Sequence, residues 1–130
     1  MQISQYDPAL VQFAADTASN IVSQTYNIRI QDIKSAQRKG ADIARARQIA
    51  MYLANVVLGI PFSFLGPAFG RDRTTASYAA RVIEDNRDNP EFDQCLSEME
   101  RAVADRFANY INPKLLEMYP MLNGPHKRFH

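Results

Sequence analysis

A chain of 130 residues with 46% hydrophobic content can close one hydrophobic core, and its length favours a single domain. A charged fraction of 22% with seven Phe and six Tyr is far from the composition of a disordered chain. The short apolar run around Ile60 to Leu65 and the lack of a basic-then-apolar leader argue against a membrane span or export, and predict a soluble, cytoplasmic protein.

The lone Cys95 excludes an internal disulfide, and its neighbours Phe92, Leu96 and Met99 place it on an apolar helical stripe as a buried small side chain. Both histidines, His126 and His130, sit near the C-terminus without a ligand at metal-binding spacing, so no metal and no cofactor is expected. The near-zero net charge conceals an uneven distribution. Residues 29 to 81 carry nine basic side chains against three acidic ones, while the flanking segments are both acidic. A basic middle on an otherwise acidic chain suits a polyanion, although a solvated surface explains any single cluster as well.

In chain order, Asp7 followed by Pro8 signals a helix start, and Leu10, Ala14, Ala18, Ile21, Val22 and Thr25 form one face of a helix to about Tyr26. Ile30 to Ser35 reads as a short helix or turn leading into the loop AQRKGAD. From Ile43 to Leu58, Ala46, Ile49, Ala50, Leu53, Ala54 and Val57 share a face, which makes this the central buried helix. Gly59 and Pro61 stop it. Ser63 is then expected to cap a short helix containing Pro67 and ending at Phe69, with Gly70 in a left-handed turn. Asp72 caps the next helix, with Ala76, Ala79, Ala80 and Ile83 inward and Arg73, Thr74, Ser77 and Arg81 outward. Asn89 with Pro90 starts a last helix to about Tyr110, with Phe92, Leu96, Met99, Val103 and Phe107 inward, and Pro113 is expected to end it.

The expected fold is therefore all-α: a single-domain bundle of about six helices over residues 1–112, then an extended C-terminal tail over 113–130. Within it, a short helix, a glycine turn and a helix with small inward residues make a helix-turn-helix. Its outward Arg, Thr and Ser residues suit DNA, since Arg pairs with guanine edges and Thr contacts thymine methyls or phosphates.

The run Ala46 to Ala54 (ARQIAMYLA), then Leu65-Gly66 and Ala68-Phe69-Gly70, then Arg71-Asp72-Arg73-Thr74-Thr75, resembles the C-terminal DNA-binding domain of the bacterial chromosomal replication initiator DnaA. The resemblance covers about Leu10 to Phe107. It implies that the motif Arg71 to Thr75 opens the recognition helix and reads bases in the major groove; with the outward face, Asp72, Arg73, Thr74, Ser77 and Arg81 are the expected base contacts. It also implies that Arg38, Lys39, Arg45, Arg47, Arg71 and Thr75 contact the DNA backbone or the adjacent minor groove. Three departures stand out: Gly70 alone where the family has two glycines, Arg73 where it has histidine, and a loop diluted by Gly40, Ala41 and Asp42. An arginine prefers guanine or phosphate, so the target is expected to differ from the initiator's own box.

The segment GPAFGRDRT is not a P-loop, because three residues rather than four separate Gly66 from Gly70 and Arg71 follows. With no Ser-His, Cys-His or metal constellation either, the chain is expected to be no enzyme and to stand alone without the initiator's ATPase module. The reading is a sequence-specific double-stranded DNA-binding protein of the nucleoid, acting as a bacterial transcriptional regulator, with a homodimer through the last helix or the tail as a possibility. The alternative is a protein-interaction module or replication modulator that keeps the fold without reading bases of its own.

Overall fold

The computed structural model describes residues 7–118 apart from Ala36, Arg38 and Lys39, and leaves out the side chains of 111–118. Its first helix, α1 (Pro8–Tyr26), opens where Asp7 Oδ1 accepts the Ala9 N–H at 2.7 Å, and closes at Asn27, whose left-handed conformation returns its N–H to the Ser23 carbonyl. Small residues dominate its buried face: Ala14, Ala15, Ala18 and Ser19 let neighbouring helices approach closely, while Val11, Ile21 and Val22 fill the space between. Leu10 is only half-buried. Thr25 is exposed and turns its hydroxyl back to the Ile21 carbonyl at 2.8 Å, so both fall outside the core face expected for them.

After the single turn of α2 (Ile30–Ile33), the long α3 (Ala41–Val56) starts two residues earlier than its hydrophobic pattern suggests, with Gly40 at the N-cap. It touches each of the other five α-helices. Residues on more than one face are accordingly buried: Met51 and Tyr52 join Ala46, Ile49, Ala50, Leu53 and Ala54. Fully burying a side chain the size of Leu53 or Ile49 contributes about 1.5–3 kcal/mol, and Leu53 and Ile49 sit on the helix that every other one uses.

Next come α4 (Phe62–Ala68) and α5 (Arg73–Asp85), then a 3-10 turn at Asn86–Asp88 and α6 (Pro90–Met118). The cap of α4 is Pro61 rather than Ser63, which lies inside the helix. Pro61 already has an extended backbone and presets the chain for the first turn, so no hydroxyl cap is needed. At the other end Asn89 Oδ1 accepts the Phe92 N–H at 2.9 Å and starts α6 as expected. Pro113 does not end α6, which continues to Met118. A proline forfeits one N–H, but its own φ is helical, and the helical path survives that loss. α6 thus runs through residues 113–118, where an extended tail was expected; the rest of that tail, 119–130, lies outside the described residues.

Among the described residues the architecture is six α-helices with no strand, so the all-α bundle expected from the sequence holds. One polar cluster ties it across its middle. Arg87, in the 3-10 turn, donates from Nε to Asp93 at 2.5 Å, from Nη1 to Glu100 and to the Tyr52 hydroxyl at 2.8 Å each, and from Nη2 to Ser97 at 3.1 Å. Tyr52 in turn donates to Glu84 at 2.8 Å. One guanidinium thus joins α3 and α6, and Tyr52 extends the link to α5, so the helix that follows the glycine turn is held at its far end.

Candidate nucleic-acid interface

Three backbone features aim α5. Gly70 adopts φ +69°, the left-handed turn for which glycine was expected. The Arg71 N–H donates to the Gly66 carbonyl at 2.7 Å, which closes the turn back onto α4. A Cβ built on Gly66 would stand 2.5 Å from the carbonyl carbon and oxygen of Asp72 and 2.8 Å from the nitrogen of Arg73. The sequence reading gave Gly66 no role in the turn, yet the backbone of α4 meets the start of α5 there with no room for a side chain. The signal available was the family pattern Leu65-Gly66, in which a glycine inside a helix needs a packing reason.

Asp72 then caps α5: its Oδ1 accepts the Thr75 N–H at 2.8 Å. That bond, the main cause, holds the Asp72 carboxyl below its ordinary range, and the charge suits the positive end of the helix. Ala76, Ala79, Ala80 and Ile83 face the core, as expected. Thr74 and Arg81 are exposed opposite them, Arg73 and Thr75 are exposed at the edges of the buried face, and Ser77 is half-buried on the flank. Arg71 reaches back from Nη1 to its own loop carbonyls, Phe69 at 3.2 Å and Gly70 at 3.3 Å, and keeps a half-exposed guanidinium beside the turn.

The second basic region sorts differently from its expectation. Arg47 is 5% exposed. Its Nε donates to the Ile33 carbonyl at 2.8 Å and its Nη2 to that of Asp32 at 3.0 Å, so this arginine anchors α2 on α3 instead of facing a phosphate. Burial first and the Arg71 charge second lower its proton affinity. The reason is positional. Arg47 falls next to Ala46 on a helix buried on several sides, where its guanidinium meets the Asp32 and Ile33 carbonyls at the end of α2. Arg45 is half-buried, with its guanidinium 4.7 Å from the Phe92 ring centroid, on the wall of an open groove of about 440 Å³. Arg38 and Lys39 lie outside the described residues.

Cys95, expected in the core, is half-buried, with Sγ 3.7 Å from the Tyr26 hydroxyl. Burial, and then the contact with Cys95, push that phenol up to about 12. No helix among the described residues is long and apolar enough to cross a membrane.

What the geometry offers is a helix held at both ends, with three cations at or beside its outer face and exposed polar residues at its N-terminus. Comparison with known proteins agrees with this arrangement. A profile described as the bacterial dnaA protein helix-turn-helix matches residues 15–83. Chromosomal replication initiator proteins DnaA from Burkholderia multivorans, Burkholderia cenocepacia and Burkholderia mallei are each 42% identical over 77 residues, 58% of this chain. The matched region is 14% of the length of those relatives. A crystal structure titled as a DNA replication initiation factor superposes with a TM-score of 0.67 at 25% identity, over 75% of this chain and 30% of that one. The profile takes in α2 to α4 whole, with most of α1 and α5, and so includes the turn at Gly70 and the cap at Asp72: the chain belongs to the bacterial DnaA helix-turn-helix family.

Proposed function

We propose that this chain binds double-stranded DNA sequence-specifically, with α5 in the major groove and the basic stretch before α3 along the phosphates, and that it acts by binding rather than by catalysis. The observation that carries the reading is the exposed Arg73, Thr74 and Arg81 on a helix whose N-terminus is fixed against α4 at Gly66. Recognition helices present their N-terminal residues to base edges, and those residues here are Arg73 and Thr74. Family membership supports DNA binding in general; the choice of output is finer. A transcriptional regulator and a modulator of replication that competes for initiator-like sites use the same contact surface; the name of the Burkholderia relatives supports the second.

Selection of bound duplexes from a random library by the full chain tests the proposal. A defined motif supports sequence reading, and a two-fold symmetric one supports a pair of copies on two half-sites, joined through α6 or the residues beyond it. Recovery of no motif, with weak and salt-sensitive binding alone, would replace the proposal with a protein-interaction module that has kept the fold.

A further inference from the structure

The four buried residues of α5, Ala76, Ala79, Ala80 and Ile83, fix which way the helix faces. With 3.6 residues per turn, the direction opposite them falls on Thr74, Tyr78 and Arg81, spaced by four and three. Ser77 stands to one side of this ridge and is half-buried. Tyr78 is 59% exposed, more than any other large hydrophobic side chain among the described residues. It therefore occupies the middle of the outward ridge, between a hydroxyl-bearing residue and a cation.

The extent of the contact can be bounded from charge. Glu84 and Asp85 are exposed at the C-terminal end of α5 and would repel phosphates, so a duplex meets the helix no further along than about Arg81. Tyr78 lies six residues beyond the Asp72 cap, or about 9 Å along the axis at 1.5 Å per residue, which keeps it within the span a major groove about 12 Å wide can enclose. Thr74 and Arg81 offer hydrogen-bonding groups along this ridge, and the ring of Tyr78 is its large apolar surface. In the major groove the distinctive apolar feature is the thymine C5-methyl.

We propose that Tyr78 is a specificity-determining residue of α5, its ring packing on one thymine methyl of the target. This rests on the DNA-binding reading above. The test uses the motif selected by the wild-type chain, with each of its thymines replaced in turn by uracil, which deletes the methyl and leaves the hydrogen-bonding edge intact. Burial of one methyl corresponds to about a fourfold change in affinity, so wild type is expected to lose about fourfold at one position. Tyr78→Ala is expected to bind thymine and uracil duplexes alike at that position, and Tyr78→Phe to keep the discrimination.

Equal thymine preference in wild type and Tyr78→Ala would overturn the inference, as would a loss in Tyr78→Ala that is uniform over all sequences, the mark of a phosphate contact. Absence of any uracil effect in wild type overturns it without need of a variant. A wild-type chain that selects no motif overturns the DNA-reading proposal and this inference together. A selected motif that Tyr78→Ala reads identically overturns the inference alone.

Discussion

Arg47 and Asp72, both expected at the DNA, are engaged by the fold itself. Arg47 spends its guanidinium on two backbone carbonyls at the end of α2. Hydrogen bonds from a charged donor are each worth about 1.5–3 kcal/mol, so losing both in Arg47→Ala is expected to lower stability by about 3 kcal/mol or more in chemical denaturation. DNA affinity at a temperature where the variant stays folded should change little; a large affinity loss with unchanged stability would return Arg47 to the phosphate backbone. For Asp72, the Thr75 N–H favours the ionised carboxylate in the folded state. Its stabilisation is therefore complete above the carboxyl's ordinary value of 3.8 and fades as pH falls through the lower folded value. Thermal melting of Asp72→Ala against wild type should show a deficit at pH 7 that narrows below about pH 4. A deficit that stays constant down to strong acid would mean that the carboxylate charge contributes nothing to the cap.

At the scale of the element, the turn between α4 and α5 depends on two glycines for different reasons. Gly70 needs only a left-handed backbone, which costs a non-glycine residue about 1–2 kcal/mol. Gly66 needs empty space against rigid backbone, where nothing can rotate aside. Gly66→Ala should accordingly destabilise the chain more than Gly70→Ala, by about 3 kcal/mol or beyond, in parallel urea melts. Comparable losses would show that α4 can shift to accommodate the methyl. The sequence made Gly70 legible because a glycine after a helix followed by Asp is a local signal. Gly66 was not, because its constraint comes from a residue six positions on and exists only once both helices are packed. The same distinction separates Asp7, Asp72 and Asn89, caps readable from neighbours two or three residues away, from Ser63, where the extended backbone of Pro61 pre-empted the hydroxyl. Pro113 misled for a related reason: it argues for a helix end locally, but α6 passes through it.

Over the whole molecule, helix number, order and inward faces were legible because hydrophobic spacing reports them directly, as in Ala76, Ala79, Ala80 and Ile83. The cluster around Arg87 was not, since it joins residues 6 to 35 positions apart and leaves no periodic trace. Its four partners make Arg87→Ala expected to cost about 2 kcal/mol or more and to loosen α6 against α3, seen as faster amide exchange in α6 and, through the Tyr52–Glu84 bond, at the end of α5. Unchanged exchange in α5 would confine the cluster to α6. The candidate interface was half legible. Residue type and capping pointed to Arg73, Thr74 and Arg81, whereas the burial of Arg47 and the outward place of Tyr78 needed the packed helix. The central claim, that α5 reads sequence, is tested most directly by the ratio of affinities for the selected duplex and a scrambled one, measured for wild type and Arg73→Ala at one salt concentration. Loss of one base-reading arginine contact is worth about 1–3 kcal/mol, so the ratio should fall by roughly 5- to 150-fold while scrambled binding changes little. Equal weakening on both duplexes, with the ratio intact, would contradict the account and leave Arg73 as a phosphate contact.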